Sequence, residues 1–280
     1  MSSREEIFFS IITPVKNGCK YLKRYLASLK NQEFKNWEAI IIVDDGSSDD
    51  SYRVLKNLTK SDNRFKVLKN YHINFLNSPY ESRNIGLDNA IGKYICFLDI
   101  DDIWLPKNLL RHYQIINNYK NINLIYSEYY RYQEEKNIFS IRKPIKILNI
   151  DYLLNFINPI PMLSTCVKKD IVNNIRFKAL HHEDYLFWKE LIKKIPNKSI
   201  FLDKSPTTIY LISKGSISSN KFKAILWIYK IYLLDSKNYL VLLFKLLIRG
   251  FLQIYLYLLD QKVNNQELKD YLFLLEPKSK

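Results

Sequence analysis

Short apolar runs alternate with amphipathic stretches through the first half of the chain. Phe8–Ile12 predicts a strand, and Tyr21, Leu22, Tyr25, Leu26 and Leu29 follow at helical spacing. Glu38–Val43 is a run of the fully buried type, closed by Asp44-Asp45-Gly46-Ser47. The pattern then predicts a helix over 51–58, a short strand over 66–68, a helix over 82–90 and a strand over 94–98. Pro106 suits the first turn of a helix reaching Tyr119. Leu124–Tyr130 and Met162–Val167 predict strands, and Thr207–Leu211 a last one. Between them, His181-His182-Glu183-Asp184 opens a helix carrying Leu186, Phe187, Leu191 and Ile192. This β-α-β-α order implies an α/β fold, a mostly parallel sheet flanked by helices. Ligands of such sheets sit outside the carboxyl ends of the strands. Thr13, Asp44, Asp45, Asp99, Asp101 and Asp102 all fall at those ends.

From Lys221 onward the pattern changes to long aliphatic and aromatic runs punctuated by lysines. The expected organisation is therefore an α/β domain over 1–220 and a basic, amphipathic, helical appendage over 221–280. No internal repeat or low-complexity linker separates them.

With 280 residues the chain can hold one large α/β domain plus such an appendage. Hydrophobic residues make up 47%, which excludes wholesale disorder. The net charge of +15 favours polyanions, whether phosphates, nucleic acid or anionic lipid. A bias toward Lys, Asn, Ile and Tyr in the source genome would give the same excess. Cys19, Cys96 and Cys166 are odd in number and widely spaced, which argues against a disulfide framework or zinc site and fits a reducing compartment. Arg4-Glu5-Glu6 before the first apolar run is wrong for a secretory signal. No stretch is free of charge for the length a membrane-spanning helix needs.

Four constellations carry possible chemistry. Phe97-Leu98-Asp99-Ile100-Asp101-Asp102 runs an apolar strand directly into three carboxylates. Like charges so close raise one another's energy unless a cation neutralises them. Hard oxygen ligands suit Mg2+ or Mn2+, which retain waters and bind substrate phosphates. The plainer alternative is a solvated acidic turn with Asp102 capping a helix. In Val43-Asp44-Asp45-Gly46-Ser47-Ser48-Asp49 a carboxylate at a strand end can accept from a base N–H or a ribose hydroxyl, or the segment is an ordinary strand-to-helix turn. In Ser82-Arg83-Asn84-Ile85-Gly86-Leu87 the arginine suits a base carbonyl or phosphate, or is a surface residue of a helix. Of Glu183-Asp184, one can serve as general base toward a hydroxyl, or both simply favour the helix dipole. His181 and His182 could bind a metal, although adjacent histidines are more often surface residues.

Taken in order, these motifs resemble the family 2 glycosyltransferases of the GT-A fold, over roughly residues 7–220. The resemblance is most specific in Ser10-Ile11-Ile12-Thr13-Pro14, Val43–Ser47, Arg83–Leu87, Phe97–Asp102 and Glu183-Asp184. It implies a bacterial enzyme that inverts the anomeric centre while moving a sugar from a nucleotide-sugar, a UDP-sugar, to an acceptor hydroxyl. It further implies that Thr13, Pro14 and Asp45 meet the uracil with Arg83 nearby, and that Asp99 reaches the ribose. Asp101, with Asp99, would hold Mn2+ or Mg2+. Asp184 would be the catalytic base, with Glu183 orienting it or the acceptor. Ser216 and Ser218, in Lys214-Gly215-Ser216-Ile217-Ser218, look like part of the loop that closes over the donor diphosphate.

The chain lacks the Gln-x-x-Arg-Trp motif of processive polysaccharide synthases and their membrane spans, so one sugar per encounter is expected. A nucleotidyltransferase would need a glycine-rich phosphate loop, and Thr13–Lys20 contains only Gly18. A non-catalytic sugar-nucleotide or polyanion-binding protein would not need Asp184 beside a metal site, and donor hydrolysis with and without metal separates the two. Nucleic acid is not an expected partner.

In the tail, Asn238–Leu259 is nearly all apolar, but Lys245 and Arg249 sit mid-segment. Each would cost about 2.5–3.5 kcal/mol at a bilayer centre. On an imagined continuous helix, Lys223, Lys230, Lys237, Lys245 and Arg249 fall on one side. Such a helix can lie against anionic lipid, or pack on the α/β domain with its lysines in water. The family resemblance adds glycan or lipid-linked glycan acceptors of the lipopolysaccharide, O-antigen or capsule type. It also implies a location in the cytoplasm, at the inner face of the membrane.

Overall fold

Alternation along the first strands decides the architecture. In β1 (Phe9–Val15) and β2 (Trp37–Asp44), Phe9, Ile11, Val15, Ala39, Ile41 and Val43 enter one apolar cluster, while Ile12, Ile40 and Ile42 enter another. A strand buried on both faces must be covered on both, and helices do this. A computed structural model describes residues 6–44, 46–71, 78–145, 149–212 and 221–275.

Within those residues, α1 (Leu22–Lys30) joins β1 to β2, and α2 (Ser51–Thr59) leads to β3 (Phe65–Asn70). Then come α3 (Tyr80–Asn89), β4 (Tyr94–Phe97), β5 (Ile103–Trp104), α4 (Asn108–Asn118), β6 (Leu124–Ser127), β7 (Tyr129–Gln133) and β8 (Ile138–Arg142). Next are α5 (Ile150–Leu153), β9 (Cys166–Lys168), α6 (Lys169–Val172), α7 (Glu183–Ile192), β10 (Ile200–Asp203) and β11 (Thr208–Ile212). The chain closes with α8 (Lys221–Asp235), α9 (Tyr239–Leu259), β12 (Gln261–Val263) and α10 (Gln266–Leu275).

The main sheet has the order β10-β6-β9-β4-β1-β2-β3. β1 runs parallel to β2 and β4, β2 to β3, and β6 to β10, whereas β9 is antiparallel to both neighbours. This is the mostly parallel, helix-flanked α/β sheet that the pattern predicts. The carboxyl ends of β1, β2 and β4 therefore share one edge. A second sheet, β12-β8-β7-β11-β5, has no counterpart in the sequence reading.

Two expected strands differ. Leu124–Tyr130 is not one strand but two, in different sheets. The Ser127 N–H donates to Ser164 Oγ at 3.2 Å, and that hydroxyl donates back to the Ser127 carbonyl at 3.1 Å. A side chain thus takes the place of a strand partner and ends β6. Met162–Val167 opens with a 3-10 turn at Met162–Ser164, held by Thr165 Oγ1 on the Met162 carbonyl at 2.8 Å, and only Cys166–Lys168 is strand.

The boundary expected near residue 220 falls at 213–220, outside the described residues. Beyond it, Ile228, Ile231 and Tyr232 of α8 enter the main core, β12 pairs with β8, and Leu268, Leu272 and Leu275 of α10 pack on the second sheet. The imagined single helix with a basic side is corrected. The chain breaks after Asp235, and the Asn238 side chain accepts from Leu240 N and Val241 N to start α9 afresh. Lys245 turns inward, buried, and donates to Asp235 at 2.9 Å.

Candidate active site

Gly86 sets the approach of α3 to the sheet. A Cβ there would lie 2.3 Å from Ile12 Cγ2, so only glycine lets the helix rest on β1. Arg83, one turn earlier on the same face, is thereby brought over the strand edge. Asn84 clamps the segment before α7, donating from Nδ2 to the Phe177 carbonyl and accepting from the Phe177 N–H, both at 2.9 Å. The Arg83–Leu87 motif thus joins the sheet edge to the start of α7.

Arg83 is 4% exposed. Its Nη2 donates to Asp99 Oδ1 at 2.8 Å, its Nη1 pairs with Glu183 Oε1, and its plane lies over the Phe177 ring. Burial opposes its charge, but the carboxylates of Asp99 and Glu183 outweigh that and raise its pKa. Arg83 thus forms a buried bridge between the end of β4 and α7. Glu183 is the other half of that bridge. Its second oxygen accepts from Ser78 Oγ at 3.0 Å, so the carboxylate positions Arg83 and the start of the helix that carries Asp184. Removing one partner of such a pair strands the other charge. Glu183→Ala is expected to lower the unfolding free energy by about 3–5 kcal/mol, measured by urea denaturation. A loss below 1 kcal/mol would refute the bridge.

Asp184, beside it, is half-buried and faces a cleft of about 1130 Å³. Asn158 Nδ2 donates to its Oδ2 at 2.8 Å. Burial and then the charge of Glu183 push its carboxyl up to about 6, against the pull of Arg83. A carboxylate with that proton affinity, open to a cleft, can take a proton from a hydroxyl near neutral pH.

At the end of β4 the acidic run forms a turn, with Asp102 N–H donating to the Asp99 carbonyl at 3.1 Å. Its three carboxylates have different fates. Asp102 is buried and accepts the Leu211 N–H at 3.3 Å, tying the turn to the second sheet. Asp99 is half-exposed on Arg83. Asp101 has no ion-pair partner among the described residues, and burial followed by the charge of Asp99 pushes its carboxyl up to about 6. Among the described residues no three His, Cys, Asp or Glu side chains converge as a metal group. The donor set that remains, Asp101 without an ion-pair partner among the described residues and Asp99 paired through Oδ1 with Arg83, fits a hard divalent ion completed by substrate phosphates and water.

Thr13 is fully buried on the α1 side of β1, and its hydroxyl shares a 2.6 Å hydrogen bond with Tyr25. The hydroxyl is thus spent on α1, at the carboxyl-end half of β1. Pro14 sits half-buried at the strand end. Asp45, Ser216 and Ser218 lie outside the described residues. The surrounding corner is described. Asn17 accepts from Ser48 N at 2.7 Å, Asp49 accepts from Cys19 N at 2.8 Å, and Ser51 Oγ accepts from Gly18 N at 3.0 Å. These bonds lock the loop after β2 onto the loop after β1. Asn17 has a left-handed φ of 50°, and its part was invisible to motif reading.

His181 stacks on Trp227 at 3.9 Å, and burial pushes His182 down to about 4. Both pack against the helical tail. Asn158, Ser78 and the cleft residue Arg249 are the site neighbours that sequence reasoning missed. None belongs to a motif, and each reaches the site only through tertiary packing.

The sequence model of glycosyl transferase family 2 matches residues 10–180. The chain is 33% identical to an uncharacterized glycosyltransferase of Haemophilus influenzae over 80% of this chain and 86% of that one. It is 30% identical to the Escherichia coli UDP-Glc:alpha-D-GlcNAc-diphosphoundecaprenol beta-1,3-glucosyltransferase WfgD, over 78% and 83%. In three dimensions it is similar to Staphylococcus aureus TarS 1-349, solved with UDP-GlcNAc, at a TM-score of 0.63 and 19% identity, covering 87% of this chain and 72% of that one. It is also similar to the mannosyltransferase PcManGT of Pyrobaculum calidifontis, solved with GDP-Man and Mn2+, at a TM-score of 0.60 and 11% identity, covering 91% and 71%.

Proposed function

The chain belongs to glycosyltransferase family 2 and is a glycosyltransferase, and from that premise we propose that it moves a single sugar from a UDP-sugar to a hydroxyl of a lipid-linked glycan, with inversion. The observation that carries this reading is Asp184, a carboxyl raised to about 6 at the wall of a large cleft. The reaction is one displacement. The acceptor oxygen attacks the anomeric carbon, its proton passes to the Asp184 carboxylate, and the bond from that carbon to the β-phosphate oxygen breaks. UDP leaves with the electron pair. Asn158 holds Asp184 in orientation. Glu183 and Arg83 fix α7 and Asp99 relative to one another, and Asp99 is proposed to reach the ribose. Asp101, with Asp99, would hold Mn2+ or Mg2+, which supplies charge neutralisation for the leaving diphosphate. The complex of PcManGT with Mn2+ supports divalent metal use. Ser216 and Ser218 are proposed to close over the diphosphate.

The UDP-Glc donor, the diphosphoundecaprenol-linked acceptor and the beta product named for WfgD support the substrate class and the inversion. They also support a part in surface-polysaccharide synthesis, and with it we propose a location at the cytoplasmic face of the membrane. A non-catalytic binder of sugar-nucleotides would leave the Asp184 cleft without a purpose. A screen of UDP-, GDP- and CDP-sugars for metal-dependent hydrolysis tests the reading and identifies the donor. No hydrolysis of any of them, with the protein folded, would reject it.

We propose Asp45, with Pro14, for uracil selection. A carboxylate can accept the uracil ring N–H, and cytosine lacks that proton. One charge-assisted hydrogen bond is worth about 1.5–3 kcal/mol, so UDP is expected to bind roughly 10–100-fold tighter than CDP by calorimetry. Equal affinities would remove Asp45 from this role.

A further inference from the structure

α9 is 21 residues long and apolar enough, by length and composition, to cross a membrane, and only 17% of its most apolar stretch is buried. Its exposed face is ordered. Leu240, Phe244, Leu247, Phe251, Ile254 and Leu258 recur every three or four residues, each more than half exposed. That spacing makes one continuous apolar stripe along the full helix, about 31 Å long at 1.5 Å per residue. Lys245 and Arg249 point the other way, toward the protein. The polarity is thus the reverse of a lysine face lying on lipid.

Both ends of the helix are tied to the same domain. At its start, Asp235 at the end of α8 receives Lys189 and Lys245. At its end, Asp260 receives Arg131 and Arg142 from the second sheet, and β12 pairs with β8. A helix that crossed a bilayer would have to carry Asp260 and β12 to the far side, away from these partners. The stripe therefore lies along a surface rather than through one. Lys237 and Lys262, both exposed, flank its two ends.

Behind the stripe, α9 forms one wall of the cleft that holds Asp184. Leu246 and Ile254 line the cleft from this helix, and Arg249 reaches into it. Arg249 contacts the Tyr232 hydroxyl and has no carboxylate partner among the described residues. An apolar stripe, a guanidinium without a carboxylate partner among the described residues and the Asp184 carboxylate therefore meet at one cleft. This set matches an amphiphile with a hydrocarbon chain, a phosphate or diphosphate, and a sugar hydroxyl.

We propose that α9 lies flat in the surface of an anionic bilayer through this stripe, and that the cleft behind it takes the phosphate-bearing head of a lipid-linked acceptor, with Arg249 on the phosphate. The proposal rests on the reading of Asp184 as the transfer base. Lipid is favoured over a second copy of the chain because the stripe is continuous with the cleft and its ends carry lysines, as an anionic surface requires.

The test uses the full chain, with Leu247→Glu/Phe251→Glu as one variant and Arg249→Gln as another. Wild type is expected to float with phosphatidylcholine–phosphatidylglycerol vesicles, less so at high salt. The double variant is expected to stay behind. It should lose transfer to a polyprenyl-diphosphate sugar in those vesicles, while keeping wild-type donor hydrolysis and wild-type transfer to a short-chain, water-soluble diphosphate acceptor. Arg249→Gln should float normally but raise the KM for both diphosphate acceptors about 10–100-fold, the worth of one charge-assisted hydrogen bond. A short-chain acceptor lacking phosphate should be unaffected by it. Flotation of the double variant equal to wild type would overturn the proposal. So would a wild-type dimer that the double variant breaks without any vesicle binding, or an unchanged KM in Arg249→Gln. Absence of donor hydrolysis in wild type would instead defeat the transferase reading, and flotation would still report on α9.

Discussion

Asp184→Asn is expected to lower the rate of sugar transfer by roughly 10²–10⁴-fold, the usual contribution of a general base, while UDP binding by calorimetry stays unchanged. The substitution keeps the volume of the side chain and an oxygen for Asn158 to donate to, but removes the basic lone pair. The fold should not suffer. A carboxyl whose folded pKa is raised above its ordinary value is destabilising once the pH exceeds the folded pKa, because the native state resists the ionised form. At pH 8, Asn in its place is therefore expected to leave the thermal midpoint equal or higher. The wild-type kcat/KM should rise with pH through about 6 and then level, as Asp184 loses its proton, and this limb should vanish in the variant. A variant within a factor of three of wild type would remove Asp184 from the reaction.

Asp101→Ala is expected to be the more complete loss, with transfer falling to background in saturating Mn2+. The physical ground is the uncompensated charge of the acidic turn. Asp102 is spent on the Leu211 N–H and Asp99 on Arg83, which leaves Asp101 as the carboxylate without a partner among the described residues. Stability separates a lost ligand from a lost fold. In wild type, Mn2+ with UDP should raise the thermal midpoint through binding to the native state. In Asp101→Ala the midpoint without metal should be equal to or above that of wild type, and Mn2+ with UDP should no longer shift it. Full transfer by wild type in excess chelator would reject the metal role outright.

The parallel sheet was legible because its strands carry continuous apolar runs and its helices carry helical spacing. Motifs at the strand ends lay on one edge, as the order of β1, β2 and β4 requires. What the residues do there was less legible. Thr13 and Arg83 are polar residues in motif positions, yet a strand's alternation turns Thr13 onto Tyr25, and Gly86 brings Arg83 into a bridge with Glu183 and Asp99. Both outcomes depend on partners far away in sequence. The second sheet escaped because its strands are short and contributed from across the chain, and Ser164 breaks what reads as one strand into two. The tail misled in polarity. Spacing placed Lys245 and Arg249 together correctly, but burial of that side against the domain is a tertiary fact, set by Asp235 and by the pairing of Asp260 with Arg131 and Arg142.

The central claim is a single displacement in which Asp184 takes the acceptor proton as the donor bond breaks. It is tested most directly by the anomeric configuration of the product, read from NMR coupling constants after transfer from a UDP-α-sugar by the wild-type enzyme. A β-linked product is the expected result. An α-linked product would mean retention, and would contradict the mechanism even if Asp184 proved essential.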